Sequence, residues 1–139
     1  MMKTFTAAII VCIVLLVSCK KETPELATVP QFIIGSWVNP SYADSVMFLE
    51  KASGLDENGY GFTINTDGTF IERKNSGFCA TPPVFYENFD GHWVLLNATM
   101  EISVAYWGGM ANYLWKLELL DNNKLKVTRI SEKYYQALD

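Results

Sequence analysis

From Tyr60 to Ile130 apolar and polar residues alternate in short runs broken by turn residues. Tyr60, Phe62 and Ile64 alternate with Gly61, Thr63 and Asn65, and Phe70 to Lys74 returns after Thr66-Asp67-Gly68-Thr69. Period-two alternation is the mark of a half-buried strand, and Asp-Gly between two such runs is a strong hairpin signal because the turn needs positive φ. The pattern continues with Phe89, Gly91, Trp93 and Leu95, then Met100, Ile102, Val104 and Tyr106, separated by Asn97-Ala98. Trp107-Gly108-Gly109-Met110 ends that strand, Tyr113, Trp115, Leu117 and Leu119 share a face of the next, and Asp121-Asn122-Asn123 leads to a last strand over Lys124 to Ile130. Upstream, Phe32 to Val38 reads as a first strand broken by Asn39-Pro40, and Ser45 to Lys51 as a second, followed by a loop to Gly59. This makes eight strands without a helix, every connection a hairpin or short loop. The expected fold is all-β: an antiparallel up-and-down meander, which removes its exposed edges by closing into an eight-stranded barrel.

Two segments fall outside this alternation. Asn75 to Glu87 is a long irregular piece with Gly77, Cys79, Pro82 and Pro83, and its Phe78-Cys79-Ala80-Thr81-Pro82-Pro83 core suits either display to a partner or a plug over a barrel end. At the start of the chain, one positive charge at Lys3 precedes a nearly unbroken apolar run, Phe5 to Val17. That is the layout of an export signal, and it falls short of the roughly 20 residues a membrane-crossing helix needs.

The run ends at Leu16-Val17-Ser18-Cys19, which resembles a bacterial lipobox. The resemblance implies that residues 1–18 are removed, that Cys19 becomes an acylated first residue, and that acyl chains hold the protein on a membrane, since two or more chains anchor stably where one does not. Lys20-Lys21-Glu22 after the cysteine further resembles a signal for the outer membrane and its external face. Residues 19–31 then form a polar tether with Pro24 and Pro30, and residues 32–139 the barrel domain.

Composition narrows the function. The chain of 139 residues has a formal net charge of −4 and no basic cluster beyond Lys20-Lys21, which excludes nucleic acid as a natural partner. Of three cysteines Cys12 lies in the leader and Cys19 at the lipobox, so Cys79 has no disulfide partner. Stability therefore rests on the core, for which nineteen aromatic residues (8 Phe, 7 Tyr, 4 Trp) provide large rings.

At Gly35-Ser36-Trp37 the chain resembles the lipocalins, whose first strand opens on Gly-x-Trp; Asp67-Gly68-Thr69-Phe70, Gly91-x-Trp93 and Asn123-Lys124-Leu125 follow in the order seen in short lipocalin-like bacterial lipoproteins. The resemblance implies that Arg129 in the last strand packs across Trp37 to close the barrel bottom, with Gly35 beside it. It also implies a small apolar or amphipathic ligand, for which Tyr60, Phe62, Trp93, Tyr106, Tyr113 and Trp115 are the lining candidates, although an eight-stranded barrel is equally able to fill itself with such rings. The alternative is a filled barrel that binds an envelope protein or a glycan through its loops.

Catalysis finds little support. His92 is the single histidine and its parity opposes Trp93, so it points outward; a Cys79–His92 nucleophile pair has only proximity in sequence to recommend it. No residues stand at metal-ligand spacing, and no cofactor is implied. Asp44, Glu50, Glu72, Glu87 and Asp90 are carboxylates that either converge at a barrel mouth or are ordinary solvated charges. The expectation is a binding protein and not an enzyme.

Overall fold

The structure, a computed structural model, describes residues 30–78 and 81–138. The signal segment, Cys19, most of the expected tether and Cys79 lie outside the described residues. Among those described, a single 3-10 turn, Gln31–Ile33, precedes eight strands: β1 Gly35–Ala43, β2 Val46–Ala52, β3 Gly61–Ile64, β4 Thr69–Asn75, β5 Tyr86–Leu96, β6 Thr99–Tyr106, β7 Gly109–Asp121 and β8 Lys124–Gln136. All neighbours are antiparallel, and the sheet closes on itself as the sequence predicts.

The order around the barrel is β1-β2-β8-β7-β6-β5-β4-β3. From β3 to β8 each strand pairs with the next, but β1 lies between β2 and β3, so the β2–β3 connection is a crossover and not a short hairpin. Arg73, on the outer face of β4, donates from Nε and Nη2 to the Glu57 carbonyl at 3.0 and 2.8 Å, which holds the crossover against the outside of the barrel. Val38 and Ser36, whose parity opposes Trp37, are nevertheless buried: Val38 Cγ1 and Leu55 Cδ2 of the crossover both lie about 3 Å from the Cβ position of Gly61, and Ser36 Oγ is 2.8 Å from Thr63 Oγ1 on β3. A Cβ at Gly61 would meet the Trp37 carbonyl at 2.7 Å and Leu55 Cδ2 at 3.1 Å, so only glycine fits beneath it.

Three local outcomes differ from the pattern. Phe32-Ile33 belongs to the 3-10 turn and not to β1. Asn39-Pro40 does not end β1: the register shifts between Val38 and Ser41, with Asn39 at φ 52°, so the proline is absorbed in a bulge where no ladder donor is required. The last strand runs past Ile130 to Gln136, because a second bulge between the Leu114–Ser131 and Trp115–Arg129 pairs resets the alternation and turns Glu132 and Tyr134 to the face of Arg129.

The core runs along the barrel axis. Phe62 on β3 and Trp115 on β7 come from opposite walls, four strands apart in the ring, yet their ring centroids are 5.4 Å apart; Phe70 lies 5.5 Å from Phe62 and 6.1 Å from Trp115. The middle of the barrel is thus filled by side chains. Below it, Ile33, Trp37, Leu49, Ile64 and Leu125 are buried and close the end at which the 3-10 turn enters, with Trp37 Nε1 donating to the Ile33 carbonyl at 2.9 Å. The strands and the buried core lie between Ile33 and Gln136, so a chain starting at Lys20 contains the whole folding unit.

Candidate functional site at the open end of the barrel

The end opposite Trp37 is polar. On β4, Glu72 shares the inward parity of Phe70, which carries a carboxylate into the barrel one step above the aromatic plug; Glu72 is 2% exposed. Its Oε1 accepts from Tyr60 Oη at 2.8 Å, and its Oε2 from Lys74 Nζ at 2.5 Å and from Tyr113 Oη at 3.1 Å. Tyr60 and Tyr113 approach from opposite sides of the axis, so the carboxylate ties the walls together. A buried carboxylate persists only when its lone pairs are met, and here one ammonium and two phenols meet them. The Lys74 ammonium also lies 5.4 Å from the Phe89 ring and 5.6 Å from that of Tyr113.

Tyr113 stacks on Trp115 with centroids 4.9 Å apart and planes 6° from parallel. Trp115 Nε1 donates to Glu132 Oε1 at 3.1 Å, and the second oxygen of Glu132 is 3.9 Å from Arg129. Burial raises the hydroxyl pKa of Tyr113 far above the ordinary phenol value, and the negative charge of Glu72 raises it further. Tyr60 is raised for the same two reasons, and Tyr42 and Tyr134 are raised chiefly by burial. These phenols remain hydrogen-bond donors at any physiological pH.

Above this layer the rings turn outward. Tyr106 meets Trp107 at 5.7 Å and Tyr134 at 5.4 Å, both edge to face, and Trp107 meets Phe78 of the β4–β5 loop at 5.7 Å. Phe78 is 86% exposed, Phe85 68% and Trp107 48%. The open end therefore consists of an apolar aromatic rim over a polar layer over a solid core; within that layer Arg129 Nε is buried without a hydrogen-bond partner among the described residues.

Of the six aromatic lining candidates, the structure brings Tyr60, Phe62, Tyr113 and Trp115 together, but in contact with each other or with Glu72. Tyr106 stands on the rim, and Trp93 lies toward the closed end, donating to the Asn65 carbonyl at 3.0 Å. The expected Arg129–Trp37 closure is not formed. Arg129 is at the open end, its Nη2 donating to the Asp44 carbonyl at 3.0 Å and its guanidinium 5.5 Å from the Tyr42 ring. The cation over Trp37 is Lys51, at 5.3 Å, because Trp37 and Lys51 are register partners whereas Arg129 pairs with Trp115. Gly35 does neighbour the closure, its Cβ position 3.4 Å from Lys51 Cε.

Among the five carboxylates, Glu72 alone is buried; Asp44, Glu50, Glu87 and Asp90 are exposed. Sequence reasoning named Glu72 but missed Lys74 and Glu132. The signal for Lys74 is its parity with Phe70, while Glu132 is hidden by the bulge at Ile130. Among the described residues no group of three metal-ligating side chains converges. No family model, no curated protein and no solved structure matches this chain.

Proposed function

We propose that the protein is a lipid-anchored cell-envelope lipoprotein whose filled barrel acts as a rigid support for an interaction surface at its open end, with another envelope protein as partner. The observation that carries this reading is the placement of Phe78, Phe85 and Trp107 as exposed rings around one barrel end, above a core whose opposite walls touch through Phe62 and Trp115. Exposed apolar rings gathered in one place mark a binding surface, and aromatic anchors dominate the energetics of protein interfaces. A deep ligand cup would need the space those core rings occupy.

The anchor complements this arrangement. Pro30 and the 3-10 turn lie at the closed end, so acyl chains on Cys19 hold that end toward the membrane across residues 19–29, a reach of at most about 40 Å. The aromatic rim lies at the barrel end opposite the one at which this tether joins, so anchoring leaves it uncovered.

Two measurements test the proposal. Radiolabelled palmitate is incorporated into the wild-type chain in the native cell and not into Cys19→Ala. A photo-crosslinking residue at Phe78 captures a discrete envelope protein, and Trp107→Ser abolishes the capture while the barrel stays folded. Absence of any crosslinked protein, together with a small molecule co-purifying with the barrel in native mass spectrometry, would favour an internal ligand instead.

A further inference from the structure

The barrel wall stops short beside β8. The β2–β8 pairing ends at Val46 and Thr128, and at the tip of the β1–β2 hairpin the Arg129 N–H donates to the Ser45 carbonyl at 2.9 Å. β8 runs on to Gln136 with β7 along one side of it. On the other side residues 130–136 meet no strand among the described residues. Ala137 N–H donates to the Gly108 carbonyl at 2.9 Å on the β7 side, so alternation along an antiparallel strand turns the backbone N–H and C=O of Glu132, Tyr134 and Gln136 to the open side. No described residue hydrogen-bonds to them there.

Natural sheets blunt an exposed edge with prolines, bulges, a very short strand or an inward charge. Residues 130–136 hold no proline, and the bulge lies at their lower end, at Ile130. The inward carboxylate of Glu132 is taken up by Trp115 Nε1 at 3.1 Å. Apolar side chains along this edge are left in water: Ile130, Tyr134 and Tyr135 are each about half exposed, and Leu138, just past the strand, is fully exposed.

We infer that this edge is a dimerisation site, at which β8 pairs antiparallel with β8 of a second copy about a dyad at Tyr134. The two β6-β7-β8 walls then form one continuous sheet. A dyad normal to the sheet keeps inward side chains on one face, so it passes through a residue and pairs positions equally spaced on either side of it. Centred at Tyr134, it sets Tyr134 against its own copy, Lys133 against Tyr135, Glu132 against Gln136 and Ser131 against Ala137. The Tyr134–Tyr134 and Glu132–Gln136 pairs exchange hydrogen bonds through the backbone groups already turned to the open side. No like charges face each other, and Ile130 of each copy comes to the place where Leu138 of the other leaves its strand. A dyad at Glu132 or Lys133 would set like charges directly opposite, which is destabilising, and one at Tyr135 or beyond would run its pairs past the end of β8. One register thus serves the backbone groups, the charges and the exposed apolar side chains together, which is the argument for a second copy over an unrelated strand. The inference depends neither on the aromatic rim nor on the lipid anchor.

The test is sedimentation equilibrium of the chain from Lys20 onward, with thermal unfolding of each variant to confirm that it folds. The wild type is expected to equilibrate between monomer and dimer with a Kd at or below about 100 µM. Tyr134→Lys places two ammonium groups at the dyad, and Gln136→Pro removes an edge N–H without touching the β7 ladder; each weakens dimerisation at least about tenfold. In a Cys79→Ser background, Tyr134→Cys is expected to oxidise to a disulfide-linked dimer, because hydrogen-bonded partners stand roughly 5.5 Å apart between Cα atoms. Ser103→Cys, on the outer face away from this edge, forms no such dimer. The inference is overturned by a monomer at about 1 mM, which leaves the edge to a different protein. It is also overturned by a dimer that both edge variants leave intact, or by one that Phe78→Ser alone abolishes, which moves the contact to the rim.

Discussion

Neutralising Glu72 tests the polar layer of the open end. In Glu72→Gln the side chain keeps its length and one carbonyl oxygen, which still accepts from one phenol. The amide has no charge to offer Lys74, whose side chain is only 15% exposed, and its NH2 group confronts the remaining donor. Removing one partner of a buried ion pair costs roughly 3 to 5 kcal/mol when the other charge is stranded. Lys74 retains some contact with water, so the expected loss is about 2 to 4 kcal/mol, equivalent to a fall in Tm of at least about 10 °C in a domain of this size. Lys74→Met strands the opposite charge against two phenols and is also destabilising. The double variant Glu72→Gln/Lys74→Met leaves a neutral amide among two hydroxyls and a thioether, so its loss is expected to be smaller than the sum of the single losses by about 1 to 3 kcal/mol. Urea unfolding of the chain from Lys20 onward, followed by tryptophan fluorescence, measures all three. A Glu72→Gln variant within about 0.5 kcal/mol of wild type, or strictly additive single changes, would mean that the carboxylate is hydrated in solution and does not tie the two walls together.

Alkaline pH acts on the same layer. The folded pKa values of Tyr60 and Tyr113 lie above their unfolded values, so the stability they contribute is complete below about pH 10 and is lost as pH rises beyond it, by about 2.7 kcal/mol per pH unit for the pair; a stability plateau through pH 11 in urea unfolding would contradict their burial. Gly91→Ala forces a Cβ to within 2.5 Å of the Ser103 carbonyl and is expected to cost about 3 kcal/mol or more, whereas Gly77→Ala, with nothing within 4 Å, is expected to change the urea midpoint little. Arg129→Met leaves the fluorescence of the closed-end Trp37 unaltered, while Lys51→Met changes it, as measured in variants that retain Trp37 as the sole tryptophan.

Legibility in the sequence followed the regularity of the backbone. Where the pleat runs unbroken, as in Met100, Ile102, Val104 or Tyr113, Trp115, parity alone identified the buried side chains, and Asp67-Gly68 marked the β3–β4 turn by its need for positive φ, which Gly68 adopts at 86°. Where a bulge inserts a residue, parity inverts without any change in composition: Ile130, an apolar residue, is left 54% exposed, and Glu132 takes the inward position opposite Tyr113. The crossover between β2 and β3 was equally hidden, because residues 53–60 have the same turn-rich composition whether they close a hairpin or pass over β1. The Arg129–Trp37 pairing failed for a related reason. It depends on which strands are neighbours and how far each is shifted, and neither is set by the residues themselves. A carboxylate such as Glu72 lies between these cases. Its parity with Phe70 pointed inward, yet a charge is stable there only because Tyr60 and Tyr113 arrive from opposite walls, a convergence that exists only once the barrel has closed.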